Sequence, residues 1–281
     1  MALISIIISL MLDHSFRHQH HWRDLSWFER YTQRIYNYIK TDNVWLKLAA
    51  VLAPILLMFA LLQLALFDVS LGLFYFLFSI AVLFYCLGPN SLSNDIDAYL
   101  DARSLGDDDE ALHYASLLTG RPASASPDQQ ISDVTHAILS VVNERVFSVL
   151  FWFVLLGPLG AVLYHLIAYL SKQDDAAASL REPAAFIQAS MAWAPARLLA
   201  IGYALTGHFD GAVQAHQNRP QETDIALSNY DVLINTGMGA LRDQECSDEI
   251  SCIRSARSLV TRSILVWIAM LALLTLGGWL G

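Results

Sequence analysis

The feature that most constrains this chain is a series of apolar stretches long enough to cross a bilayer. An α-helix needs about 20 consecutive apolar residues to span the hydrocarbon core. Residues 44–67 reach that length, broken only by Lys47 near the start, Pro54 and Gln63. Residues 69–88 carry no charge, 146–170 follow, 185–206 are apolar apart from Arg197, and 264–280 lie near the C-terminus. The expected fold is all-α: a polytopic membrane protein with four to five transmembrane helices and helical cytoplasmic loops. Composition agrees, with 15% of residues charged and a mean hydropathy of +0.42, where a soluble domain has about a quarter charged.

Between the spans the pattern turns polar. Residues 2–12 are apolar but too short to cross, and no basic residue precedes them, which reads as an interfacial or re-entrant helix rather than a signal peptide. From Trp27, the residues Phe28, Tyr31, Ile35, Tyr38 and Ile39 recur at helical spacing beside Arg30, Arg34 and Lys40. This predicts an amphipathic helix with a basic face suited to membrane lipid. Only Asp68 separates the first two spans, so they form a tight hairpin. Residues 89–145 read as three helices. The first places Ile96, Tyr99, Leu100 and Arg103 on one face. The second starts at the acidic run 107–110, buries Ala111, Leu112, Ala115 and Leu118, and stops at Gly120 and Pro122. The third carries Ile131, Val134, Ile138, Val141 and Val142 and runs unbroken into the span at 146–170. The organisation is thus interfacial helices at 1–43, a transmembrane hairpin at 44–88, a cytoplasmic helical loop at 89–145 and a transmembrane pair at 146–206. A cytoplasmic loop at 207–258 and a C-terminal transmembrane helix at 259–281 complete it.

Orientation follows the Lys and Arg counts of the flanks. Residues 13–47 hold six, 91–145 three and 207–258 four, against two in 171–184. The long polar segments are therefore expected in the cytoplasm and the C-terminus in the periplasm. The formal charge of −9 argues against nucleic acid as a partner. Cys86 sits in an apolar run, and Cys246 and Cys252 in an acidic cytoplasmic segment, where reduced thiols are the default.

Few constellations could carry chemistry. His14, His18, His20 and His21 lack the accompanying ligands that a metal site needs. The acidic run 107–110 could hold Mg²⁺, or it could simply cap a helix, with Asp107 and Glu110 at capping-box spacing. Arg197 is the most informative residue, because a charge in an apolar span usually faces protein or a watery cavity. It has either a structural partner, for which Glu144 is a candidate, or an anion to bind. Arg219 reads as an exposed-loop residue. Gly237-Met-Gly239 is a weak signal, and no Walker sequence supports a nucleotide. No cofactor, metal ligand or catalytic residue is assigned. The candidate ligand-binding residues are Arg197, Glu144, Asp107 and Arg121.

Several motifs resemble the CbiB/CobD family of adenosylcobinamide-phosphate synthases. They are LFWFVLLGPLGAVLY at 150–164, the W-x-P-A-R-L segment at 193–198, and the stretch from Gly106-Asp107 to Gly120-Arg121. That family uses ATP to join a carboxyl to an aminopropanol-type amine. Its acidic positions fall here on Ser140, Val141, Gln188 and Ala189, with only Glu144 left near a matched acid, and the aspartate after Arg121 is Pro122. The same scaffold without those acids resembles the AmpE family. The likeness includes His21-Trp22, the 106–120 loop, LFW with Gly157-Pro158, and W-x-P-x-R-L followed by Tyr203-Ala-Leu-x-Gly-His208. It implies a regulatory, non-catalytic inner-membrane protein linked to β-lactamase induction and cell-wall recycling. A divergent amide-forming synthase, or a small transporter or nucleotide sensor, are the alternatives.

Overall fold

The computed structural model describes residues 2–15, 25–67, 72–87, 91–124, 126–173, 178–219, 222–241 and 249–277. These form helices and no strand. In chain order the helices are α1 (Ala2–Ser15), α2 (Ser26–Tyr38), α3 (Val44–Phe67), α4 (Leu73–Cys86), α5 (Ser91–Leu105), α6 (Asp108–Thr119) and α7 (Pro127–Val142). A π-helical turn, Asn143–Phe147, leads into α8 (Ser148–Leu156), which is followed by α9 (Pro158–Leu170), α10 (Ala178–Thr206), α11 (Phe209–Gln217), α12 (Ile225–Ala240) and α13 (Glu249–Leu276). Four segments are long and apolar enough to cross a membrane: Val44–Leu66, Gln129–Leu156, Ser179–Thr206 and Ile250–Leu276. The protein is an all-α polytopic membrane protein.

Two expected spans differ from this set. The described helix within 69–88 is α4, only 14 residues, or about 21 Å at 1.5 Å per residue. The expected span at 146–170 breaks at Gly157, whose φ is +68°. Pro158 opens the next helix at its first position, where its missing N–H costs nothing and its fixed φ favours a fresh start. The spanning helix lies earlier instead, through the π turn, at Gln129–Leu156.

The chain divides into two compact units, Met1–Pro89 with Ser148–Ala192, and Asn90–Phe147 with Trp193–Gly281. In the first, α9 packs on α3 and α4, and α1 packs on α4 and α8. The break at Gly157 explains a polar residue in an apolar span. Gln63 of α3 accepts the Leu159 N–H at 3.3 Å, satisfying one of the donors that every helix start leaves open. Trp152 donates its indole N–H to the Met191 carbonyl at 3.1 Å. In α2, Phe28 is fully buried and meets the Tyr169 ring edge-on at 5.8 Å. Tyr38 was expected on the same face but is 85% exposed, and Ile39 already caps the helix.

The second unit is built on one apolar core that includes Tyr99, Leu118, Ile138, Leu139, Tyr203, Val232 and Leu259. The three helices expected after residue 89 are α5, α6 and α7. Asp107 accepts the Glu110 N–H at 3.0 Å, and Gly120 closes α6 with φ at +68°. Leu112 faces outward, while Ala111, Ala115 and Leu118 are buried. The stretch expected as a polar loop holds α11 and α12, with Val232, Leu233 and Thr236 buried. The last helix begins at Glu249, well before residue 264. Cys252 is disulfide-bonded, not a reduced thiol as expected, and its partner lies outside the described residues; Cys86 is free and buried.

α11 and α12 cross at glycines. A Cβ on Gly211 would lie 2.4 Å from the Gly239 carbonyl oxygen, and one on Gly239 would lie 2.5 Å from that of Gly211. The Gly237-Met-Gly239 sequence is therefore a close helix crossing, not a loop. The Tyr203–His208 string docks the same corner. Tyr203 donates its hydroxyl to the Leu139 carbonyl at 2.8 Å. The His208 N–H reaches the Ala240 carbonyl at 2.7 Å, and its Nδ1 caps α11 by accepting the Gly211 N–H at 3.0 Å.

Candidate functional site

The site forms where α10, α11 and α12 of the second unit meet. Trp193 and Arg197 are one turn apart on α10, so they share a face. The Arg197 guanidinium lies 4.3 Å from the centre of the Trp193 ring, a cation–π distance. Its Nη1 donates to the Trp193 carbonyl at 3.1 Å and to Oδ1 of Asn229, and its Nη2 donates to the Ser228 hydroxyl at 2.9 Å. Asp224 positions these acceptors. Its carboxylate caps α12 by accepting the Ala226 and Leu227 N–H groups at 2.7 and 3.0 Å, which starts the helix so that Ser228 and Asn229 meet α10.

A second cation lies close by. Arg219, just after α11, donates Nη1 to His216 Nδ1 at 2.9 Å, and that ring nitrogen is also 3.2 Å from the Thr236 hydroxyl. Burial, then Arg219, then Arg197, hold the His216 imidazole below its ordinary pKa of 6.5. It is therefore neutral at pH 7. Among the described residues, no carboxylate pairs with Arg197 or Arg219. The partners of Arg197 are neutral, and ion pairs such as Arg103–Asp108, Arg121–Asp133 and Arg257–Asp97 lie elsewhere. Two guanidiniums close enough to act on the same imidazole make the region electropositive.

A cleft of about 330 Å³ opens beside them, with Arg197, His216, Gln217 and Thr236 as its polar lining and Ile201, Leu205, Phe209 and Val213 among its apolar walls; Arg219 stands behind His216. Arg197 is in it as expected. Glu144, Asp107 and Arg121 are not among its lining residues. Glu144 sits in the π turn, Asp107 caps α6, and Arg121 bonds Asp133 at 2.9 Å. Sequence reasoning missed Ser228, Asn229 and His216, and took Arg219 for an exposed-loop residue. One local signal was available, since Asp224 is a helix-cap residue that would have placed Ser228 and Asn229 fourth and fifth in the helix that follows.

Two of the positions that align with acids in the synthase-like pattern, Ser140 and Gln188, have structural roles. Ser140 bonds the carbonyl of His136 in its own helix at 2.8 Å. Gln188 is buried and accepts the Ser171 hydroxyl at 2.6 Å. Mg²⁺ with a nucleotide calls for one or two carboxylates beside the phosphates, and no carboxylate lines the Arg197 cleft, so its residues do not fit that group. Among the described residues no set of three His, Cys, Asp or Glu converges for a metal; His18, His20 and His21 lie outside them.

Comparison with known proteins agrees with this scaffold. The family described as "Regulatory signalling modulator protein AmpE" matches residues 1–281. The chain is 25% identical to "Protein AmpE" of Shigella flexneri over 99% of both chains. It is also similar to two proteins called "Cobalamin biosynthesis protein CobD". That of Chromobacterium violaceum is 28% identical over 72% of this chain and 68% of its own length, and that of Stutzerimonas stutzeri is 29% identical over 58% and 54%. No solved structure matches.

Proposed function

We propose that this chain, which belongs to the AmpE family of regulatory signalling modulator proteins, works in the bacterial inner membrane as a non-catalytic regulator of the β-lactam response. In this reading it signals by binding an anionic ligand at Arg197. The observation that carries the reading is the charge state of the cleft. Arg197 lines the cleft with neutral hydrogen-bond partners, Arg219 stands behind the lining residue His216, and no carboxylate of the chain lines the cleft, whereas amide ligation driven by ATP would need carboxylates for Mg²⁺. Deleting the gene should change β-lactamase induction or β-lactam tolerance, and the Arg197→Gln protein should fail to restore it. A deletion with no effect on either would remove the regulatory reading.

The likeness to the two CobD proteins supports a second reading, a divergent amide-forming synthase. Expression in a strain that lacks its own cobinamide-phosphate synthase separates the two. Restored corrinoid assembly would establish the synthase.

The Lys and Arg counts support cytoplasmic placement of 89–145 and 207–258. The disulfide at Cys252 pulls the other way for the second of these, because disulfides persist in oxidising compartments. Reporter fusions after Leu100 and Asn218 should read cytoplasmic, and one after Gln173 periplasmic. The opposite pattern would invert the topology.

A further inference from the structure

We propose that the α10–α11 cleft binds an amphiphilic anion, with a phosphate or carboxylate head group held at Arg197, in the field of Arg219 behind His216, and an apolar chain lying along Ile201, Leu205 and Phe209. The inference rests on the anion-binding reading above and adds the class of ligand. Three independent observations carry it.

The first is donor capacity. A guanidinium has five N–H donors. Arg197 directs three of them to Trp193, Asn229 and Ser228, which fixes its plane and leaves two. Arg219 is held by His216. A planar fork with spare donors matches a carboxylate or phosphate edge.

The second is charge. Two cations share a partly desolvated site without a carboxylate. Like charges in such a place repel unless an anion joins them.

The third is the rest of the cleft, which would serve a free inorganic ion poorly. Its walls beyond the arginines are apolar, and Ile201, Leu205 and Phe209 are 50, 61 and 56% exposed. Ile201 and Leu205 belong to a segment apolar enough to cross the membrane. A wall of that kind suits an acyl or isoprenoid chain that enters from the lipid phase. Because α11 leads back from Phe209 to His216 and Gln217, the cleft is polar at one end and apolar at the other.

The test uses the full chain in detergent, with native mass spectrometry and titration calorimetry. The probes are lysophosphatidate, its uncharged counterpart monoacylglycerol, and glycerol 3-phosphate. Lysophosphatidate should bind at least about tenfold more tightly than either of the others. Arg197→Gln should weaken it by about 10- to 100-fold, the loss expected for a charge-assisted contact, and Arg219→Gln by less, because Arg219 acts from behind His216. Leu205→Gln should weaken lysophosphatidate and leave glycerol 3-phosphate unchanged. The comparison of probes on the wild-type protein needs no variant, so it decides even if a substitution unfolds the chain. Equal affinity for glycerol 3-phosphate would overturn the amphiphile and leave the anion site standing. Equal affinity for monoacylglycerol would overturn the head-group assignment. Lysophosphatidate binding that survives both arginine substitutions in folded protein would place the lipid elsewhere and overturn the proposal. Binding of no probe would overturn both this inference and the anion-binding reading, while the deletion phenotype would still judge the regulatory role separately.

Discussion

Replacing Arg197 by Leu tests whether the guanidinium is held by protein or merely tolerated at a lipid surface. It makes three hydrogen bonds to neutral acceptors and stacks on Trp193. For a half-buried group each bond contributes about 1 kcal/mol net, and the cation–π contact adds about 0.5–1 kcal/mol. Leucine would regain roughly 1 kcal/mol from apolar contact, so the net loss is about 2–3 kcal/mol. In a chain of this size that corresponds to a fall of roughly 4–12 °C in Tm. The assay is thermal unfolding of the detergent-purified protein, run with Asn229→Ala and the double variant. If the two side chains act together, the double variant should lose less than the sum of the singles by about 1 kcal/mol. A variant as stable as the wild type, with strictly additive effects, would show that Arg197 reaches a head-group region and that the bonds to α12 do not hold the site together.

Gly239→Ala should destabilise the second unit by about 1–3 kcal/mol, the usual cost of overpacking, because the new Cβ meets the Gly211 carbonyl oxygen at 2.5 Å; unchanged unfolding and unchanged proteolysis within 207–241 would contradict the crossing. Asp107→Ala should cost about 1 kcal/mol through loss of the cap on Glu110 N–H, whereas Asp109→Ala should leave Tm where it was. Stability should also depend on His216. Its imidazole titrates below 6.5 in the folded protein, so the unfolded chain binds the proton first, and the contribution is present above pH 6.5 and lost as pH falls through the folded value. The wild type should lose Tm between pH 7.5 and 5.5, with a smaller slope in His216→Gln; identical slopes would mean that Arg219 and Arg197 do not act on the ring.

The sequence by itself determined the class of this protein, because a membrane span is a one-dimensional property. Residues 44–67 are apolar whatever they touch, and the cap at Asp107 and the stop at Gly120 are written within a few residues of the helix they bound. The break at Gly157-Pro158 is equally local, but the apolar run around it is unbroken, and apolar length alone does not show where a helix stops. Gln63 looked like an interruption because its partner, Leu159, lies 96 residues away. Arg197 announced itself as a charge in an apolar span, yet its partners could not be read. Electrostatic habit suggested a carboxylate such as Glu144, and the acceptors are neutral groups 31 and 32 residues on. Only the tertiary structure could place them, since Ser228 and Asn229 meet α10 through the packing of another helix. Arg219 changed most between the two views. In the sequence it is one more basic residue in a polar stretch, and it becomes part of a cationic site only because Gly211 and Gly239 let α11 and α12 approach closely enough to carry His216 and its arginine to the side of Arg197.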